Sequence, residues 1–237
     1  MTQLSLGEMT VEVIRKKIKN IHLSVHPPGG RVRIAAPFRV ALDTLRSFAI
    51  AKLGWIRKQQ ARLRKQERET PREYLDRESH FVWGTRYLLR VEELNAAPRI
   101  ELGMTELVLR VRPRTPARKR AEILEAWHRD QLKTAAEPLF RKWEPIMGVK
   151  VGKLFTQRMR TRWGTCNTRS RSIRLNTELV KKPRECLEYV VVHEMVHLLE
   201  PSHNARLKAL MSQYMTNWAV YRQMLNRLPV RHEDWVY

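Results

Sequence analysis

The sequence predicts an α+β protein: a small β-rich N-terminal region with one long helix (residues 1–112), followed by a more helical α+β part (113–237). Three observations carry this. Short alternating runs closed by Pro/Gly turns dominate the first half, whereas two later stretches keep apolar residues at helical spacing. Between them residues 112–119 (RPRTPARK) shift to proline and arginine, the boundary expected between two parts.

Residues 9–14, 21–26 and 31–36 alternate as strands do, with Pro27, Pro28, Gly29 and Gly30 turning the chain between the last two. A small antiparallel sheet is expected. His22 and His26 share a strand face but lie about 13 Å apart along it, too far for one ion, and are read as exposed side chains. From Ala41 to about Gln66 one helix is expected, with Leu42, Leu45, Phe48, Ile50, Leu53 and Ile56 on its apolar face around Trp55. Its end, Arg57 to Arg68, is strongly basic and reads first as a solvated face, second as a track for phosphates.

Phe81 to Gly84, Tyr87 to Glu92, Ile100 to Leu102 and Leu107 to Val111 read as further strands, with turns near Gly84, Asn95 and Gly103. Arg118 to about Trp143 predicts a long helix facing a core with Ile123, Leu124, Trp127, Leu132 and Leu139, kinked at Pro138, with His128 on its surface. Within 150–166, Arg158, Arg160 and Arg162 alternate with Met159, Thr161 and Trp163, which predicts a strand with one cationic face. Ile173 to Asn176 pairs with it across the intervening turn. An exposed edge of that sheet suits an extended peptide added as a further strand.

Cys186 to Asn204 (CLEYVVVHEMVHLLEPSHN) follows Pro183, keeps Leu187, Val190, Val191 and Leu198 at helical spacing and breaks at Pro201, so one buried helix turning after Leu199 is expected. His193 and His197 are four residues apart and project from one helix face, so both imidazoles can converge on one ion. Glu194 beside them is placed to act as general base: this is the H-E-x-x-H arrangement of a metalloprotease. Ser202 is expected to cap a second helix, which brings His203 back as third ligand. Three protein ligands leave one tetrahedral position open, the mark of a catalytic zinc site, one Zn2+ per chain. The bland alternative is a helix with surface histidines; the apolar surroundings argue against it, because unpaired imidazoles and a carboxylate are costly to bury there. Helices are expected again from Asn204 to about Trp218 and from Val220 to Asn226. Tyr214 and Tyr221 are weighed as oxyanion donors, with nothing selecting either.

The segment from Arg162 through His203, with RWGTC, IRLNTELV and YVVVHEMVHLLEPSHN, resembles the YgjP-like metallopeptidase family and, more distantly, the SprT-like zinc proteases. IRKKIKNIHLSVHPPGGRVRIAAP and the helix carrying GWIRKQQ are similar to the family's opening domain. The resemblance implies a zincin-like fold for 113–237, and Trp163 and Gly164 shaping the substrate site. The chain departs from the family where an aromatic pair usually follows the third histidine: Arg206, Leu207 and Lys208 stand there.

Composition narrows the partners. Cys166 and Cys186 form neither a disulfide framework nor a cysteine zinc knuckle, and no apolar run is long enough to span a membrane. The N-terminus has no basic start followed by an apolar run, so a cytoplasmic protein is expected. The net charge of +22 should draw the chain toward polyanions. The reading is therefore a zinc metallopeptidase acting on a protein or peptide substrate. One rival is a nucleic-acid-associated basic protein whose protease activity is DNA-recruited or vestigial. Another is a zinc amidase or deacylase using the same ligands and base.

Overall fold

The computed structural model describes residues 2–26, 29–65, 69–159 and 161–229. It forms two compact units, which part between Thr70 and Pro71. The proline- and arginine-rich stretch 112–119, expected as the boundary, runs inside the second unit from a strand into a helix.

In the first unit β1 (Thr2–Leu6), β2 (Met9–Arg15), β3 (His22–His26) and β4 (Arg31–Ala36) form one sheet of order β1-β2-β4-β3. It is mixed, not antiparallel as expected: β2 and β4 pair in parallel. The reason lies in burial. Val32, Ile34 and Ala36 of β4 are buried and take an inner position, while β3, which buries no residue fully, is left at the edge. The strand β1 carried no clear alternation and was not expected. His26 is partly buried and hydrogen-bonded to Ser24 Oγ, at 2.9 Å, where an exposed ring was expected. The expected Pro27–Gly30 turn falls partly outside the described residues, as do Gln66 to Arg68 of the basic run.

The single helix expected over 41–66 is two, α1 (Leu42–Ala51) and α2 (Leu53–Lys65). Lys52 leaves helical geometry, and its N–H donates to the carbonyls of Ala49 and Ile50. The break separates the apolar stripe into two short ones. Leu45, Ala49 and Ile56 pack against the sheet, whereas Leu42, Ile50 and Trp55 stay exposed.

The second unit holds two sheets and four α-helices among its described residues. β5 (Ser79–Val82), β6 (Thr85–Glu93), β7 (Arg99–Leu102) and β8 (Glu106–Val111) are ordered β5-β6-β8-β7. β8 buries every second residue and again takes an inner position. The turn expected near Gly84 is there: Trp83, expected as strand, and Gly84 form the two-residue turn of the β5–β6 hairpin, with φ of 51° and 82°. This turn seats the next elements: Trp83 N–H donates to Val180 O at 2.6 Å, and the Arg184 guanidinium lies 4.5 Å from the Trp83 ring centre.

α3 (Ala117–Met147) runs 31 residues through Pro138 and ends where Gly148 adopts left-handed angles, φ 64°. It buries Leu124, His128, Leu132, Ala136, Phe140, Trp143 and Met147, a stripe of three- and four-residue steps. His128 is thus an inward residue, not a surface one. β9 (Lys153–Gln157), β10 (Gly164–Asn167) and β11 (Ser172–Asn176) form a sheet of order β10-β11-β9. The strand expected to carry Arg158, Arg160 and Arg162 ends at Gln157: among the described residues 158–163 are loop, and Arg160 lies outside them.

α4 (Arg184–Val196) is buried almost all round, with Leu187, Val190, Val191, Val192, Met195 and Val196 in the core. It packs against α3, and Lys142 Nζ and Trp143 Nε1 of α3 both donate to Glu188 Oε1, at 2.7 and 3.0 Å. α5 (Ala205–Tyr214) and α6 (Trp218–Arg227) complete the unit and also pack on α4. Among the described residues no helix is long and apolar enough to cross a membrane.

Candidate metal centre

α4 carries the centre on its last turn. His193 and Glu194 belong to the helix, which ends at Val196, three residues before the stop expected at Leu199, and His197 caps it. Tighter bonds then wind the chain up, Leu198 N–H to Met195 O at 3.0 Å and Leu199 N–H to Val196 O at 2.9 Å, as is common where a helix frays into a turn. Glu200 accepts from Ser202 N–H, and Asn204, not Ser202, caps α5 by accepting from Leu207 N–H at 3.0 Å. Between these two anchored points His203 is returned toward α4.

The ligand atoms of His193, His197 and His203 all lie within 4.8 Å of one another, and Nε2 of His193 is 3.2 Å from Nε2 of His203. The donors fit a zinc-type ion: nitrogens bound at about 2.0–2.1 Å in a tetrahedron sit about 3.3 Å apart. His197 Nδ1–H donates to Glu200 O at 3.1 Å, which fixes the tautomer and leaves Nε2 with its lone pair for a metal. Burial, with the nearby charges of His197, His203 and Arg222, pushes His193 down to about 4, and burial also lowers His197. Both rings are therefore neutral near pH 7, as metal ligation requires.

Glu194 lies beside this cluster, 6% exposed, with Gly164 of β10 directly against it. A Cβ at Gly164 would stand 2.6 Å from Glu194 Cγ and Oε1, so the glycine makes the room that the carboxyl occupies. Burial pushes the carboxyl up to about 8, opposed by the Arg162 guanidinium. A dication at the histidines would act in the same direction as Arg162. Trp163 and Gly164 both line the cavity of about 680 Å³ that holds the three histidines and Glu194. Tyr214 and Tyr221 do not line it; Tyr189, one helical turn before His193 with ring centres 5.9 Å apart, does.

Cys166 also lines the cavity, its thiol pushed up to about 11 by burial and by the Glu194 charge. Cys186 is buried in the core, with its thiol likewise pushed up to about 11, so neither sulfur is a ready thiolate.

The sequence reading missed Asn176. Its side chain is buried at the end of β11, accepts from the N–H of Met159 and Glu178 at 3.2 Å each, and donates to Met159 O at 2.7 Å and Arg162 O at 2.8 Å. Its own N–H donates to Trp163 O at 2.9 Å. One amide thereby holds the loop that delivers Arg162, Trp163 and Gly164. A single asparagine at a strand end carries no periodic signal by which a sequence could reveal it. Asn176→Ala leaves several buried backbone groups unpaired and is expected to cost on the order of 2–4 kcal/mol. Thermal or urea unfolding checks this, and a loss below about 0.5 kcal/mol would mean that the loop holds itself.

The model of the YgjP-like metallopeptidase domain matches residues 19–228. No curated protein matches the chain. Among solved structures, the metallopeptidase zymogen abylysin of Pyrococcus abyssi is similar at 14% identity and a TM-score of 0.35, over 40% of this chain and 98% of its own. The zymogen jannalysin of Methanocaldococcus jannaschii is similar at 15% identity and a TM-score of 0.33, over 40% of this chain and 92% of its own.

Proposed function

The chain belongs to the YgjP-like metallopeptidase family, and from that premise we propose that it is a zinc-dependent peptidase with Glu194 as general base. His193, His197 and His203 would hold one ion per chain. The observation that carries the reading is the convergence of three imidazoles beside one buried carboxyl in a single cavity. When bound, zinc supplies Lewis-acid polarisation of the scissile carbonyl and makes water more acidic.

The chain's own residues do the rest. Glu194 takes a proton from the attacking water and passes it to the leaving amine. Gly164 leaves its carboxyl the space to do so. The peptide lies along β10, which pairs only with β11 among the described residues and offers its other edge to a further strand. Trp163, at the head of that edge, shapes the substrate site.

Elemental analysis of the purified protein beside His197→Ala is the first test. About one zinc per chain in the wild type is expected, falling at least tenfold in the variant. Absence of stoichiometric metal in the wild type after reconstitution with zinc would sink the reading. A cytoplasmic location accompanies it, in keeping with two free thiols. A second reading, recruitment by nucleic acid, is supported by fifteen basic against five acidic side chains in residues 1–70. Binding to DNA that falls steeply with added salt is its signature.

A further inference from the structure

Two guanidinium groups at the cavity have no carboxylate partner among the described residues. Arg162 comes from the loop held by Asn176 and Arg222 from α6; both line the cavity with the three histidines. Arg33, Arg90, Arg110, Arg120 and Arg158 each hold a carboxylate. Among the described residues neither Arg162 nor Arg222 does; Arg222 has only the Trp218 ring, 5.9 Å away. Their charges reach the centre: Arg162 acts on Glu194, and Arg222 on His193 and Tyr189. Glu194 is the one acid on the described cavity wall, and its carboxyl is committed to the proton transfers.

We propose that Arg162 and Arg222 form a carboxylate-binding subsite, which makes the enzyme select peptides carrying a carboxylate close to the scissile bond. The inference rests on the peptidase reading above and adds the substrate class. A guanidinium offers a planar fork that matches a carboxylate with two parallel hydrogen bonds. Two such forks lining one cavity, against Glu194 as its single acid, leave a net positive site that draws an anionic peptide in and fixes its register. The carboxylate has two sources, an Asp or Glu side chain or a free C-terminus.

The test uses zinc-loaded Glu194→Gln protein, which holds peptides without turning them over, titrated calorimetrically with matched heptapeptides. One position is Asp, Glu, Asn or Gln, and each peptide is made with a free and an amidated C-terminus. Carboxylate peptides are expected to bind about tenfold or more tightly than their amide counterparts. Adding Arg222→Gln or Arg162→Gln should shrink that preference below about threefold, and Arg222→Lys, which keeps charge without the fork, should leave it intermediate. Melting temperature and zinc content verify that each arginine variant is folded and loaded. Equal binding of acid and amide overturns the subsite. So does a preference that survives both arginine substitutions, since the metal alone is then the partner. Which arm carries the preference, side chain or C-terminus, identifies the source. Incubating the same peptides with zinc-loaded wild type separates the two readings. Discrimination with no cleavage keeps the subsite and ends the peptidase reading, and cleavage with no discrimination does the reverse.

Discussion

Glu194→Gln is expected to keep about one metal per chain and to lose about 10²–10⁴-fold in turnover, the usual share of a positioned general base. The substitution is close to isosteric, so the cavity and the three imidazoles stay as they are, while the amide cannot accept the proton. Full turnover in the variant with any cleaved peptide would remove Glu194 from the mechanism. A second consequence follows for the metal-free protein. There burial holds the carboxyl at about 8, against 4.5 for an unperturbed glutamate. The folded chain keeps a proton that the unfolded chain releases between these values, so stability falls as pH rises from 4.5 to 8. Glutamine does not titrate. Metal-free Glu194→Gln should accordingly melt above metal-free wild type at pH 8, the gap closing toward pH 4.5. A gap that opens toward acid instead would mean that the fold stabilises the carboxylate, not the carboxylic acid.

Gly164→Ala should damage catalysis far more than stability. The added methyl would stand 2.6 Å from Glu194 Cγ and Oε1 and 2.8 Å from Cδ, distances that no packing accommodates without movement. β10 is held to β11 by its ladder, so the mobile partner is the glutamate side chain. A displacement of the base by about 1 Å is enough for a loss on the order of 10²-fold in kcat. Metal content should be unchanged, because the atoms nearest the added methyl all belong to Glu194 and none to a histidine. Measuring kcat, zinc and melting temperature together decides the matter. A variant with wild-type kcat would show that the carboxyl has slack, and one that loses zinc would show that the strand also supports the ligands.

What was legible in the sequence followed from local geometry. The step from His193 to His197 is a property of the helix alone, and Pro201 marks the turn that brings His203 round. Strand positions in residues 9–14 and 31–36 were likewise visible from alternation. Their pairing was not, because a parallel neighbour is chosen by which strand can be buried on both flanks, a property of the assembled sheet. Lys52 breaks the helix without proline or glycine at the break itself, so nothing in the spacing announced it. Arg158 and Arg162 alternate as a strand would, yet the amide of Asn176 binds the Met159 and Arg162 backbone that a strand ladder would have used. Arg222 reaches the cavity from 19 positions beyond the third histidine, and only the packing of α6 on α4 reveals it.

The three imidazoles occupy an eleven-residue stretch, 193–203. Closing so short a loop costs little chain entropy, so the denatured chain keeps a serviceable chelating cluster of its own. Metal that binds both forms stabilises the native one only by the difference between the two affinities. Added zinc should thus raise the unfolding midpoint by less than its native affinity implies, and a peptide spanning only this segment should compete with the folded protein for the ion.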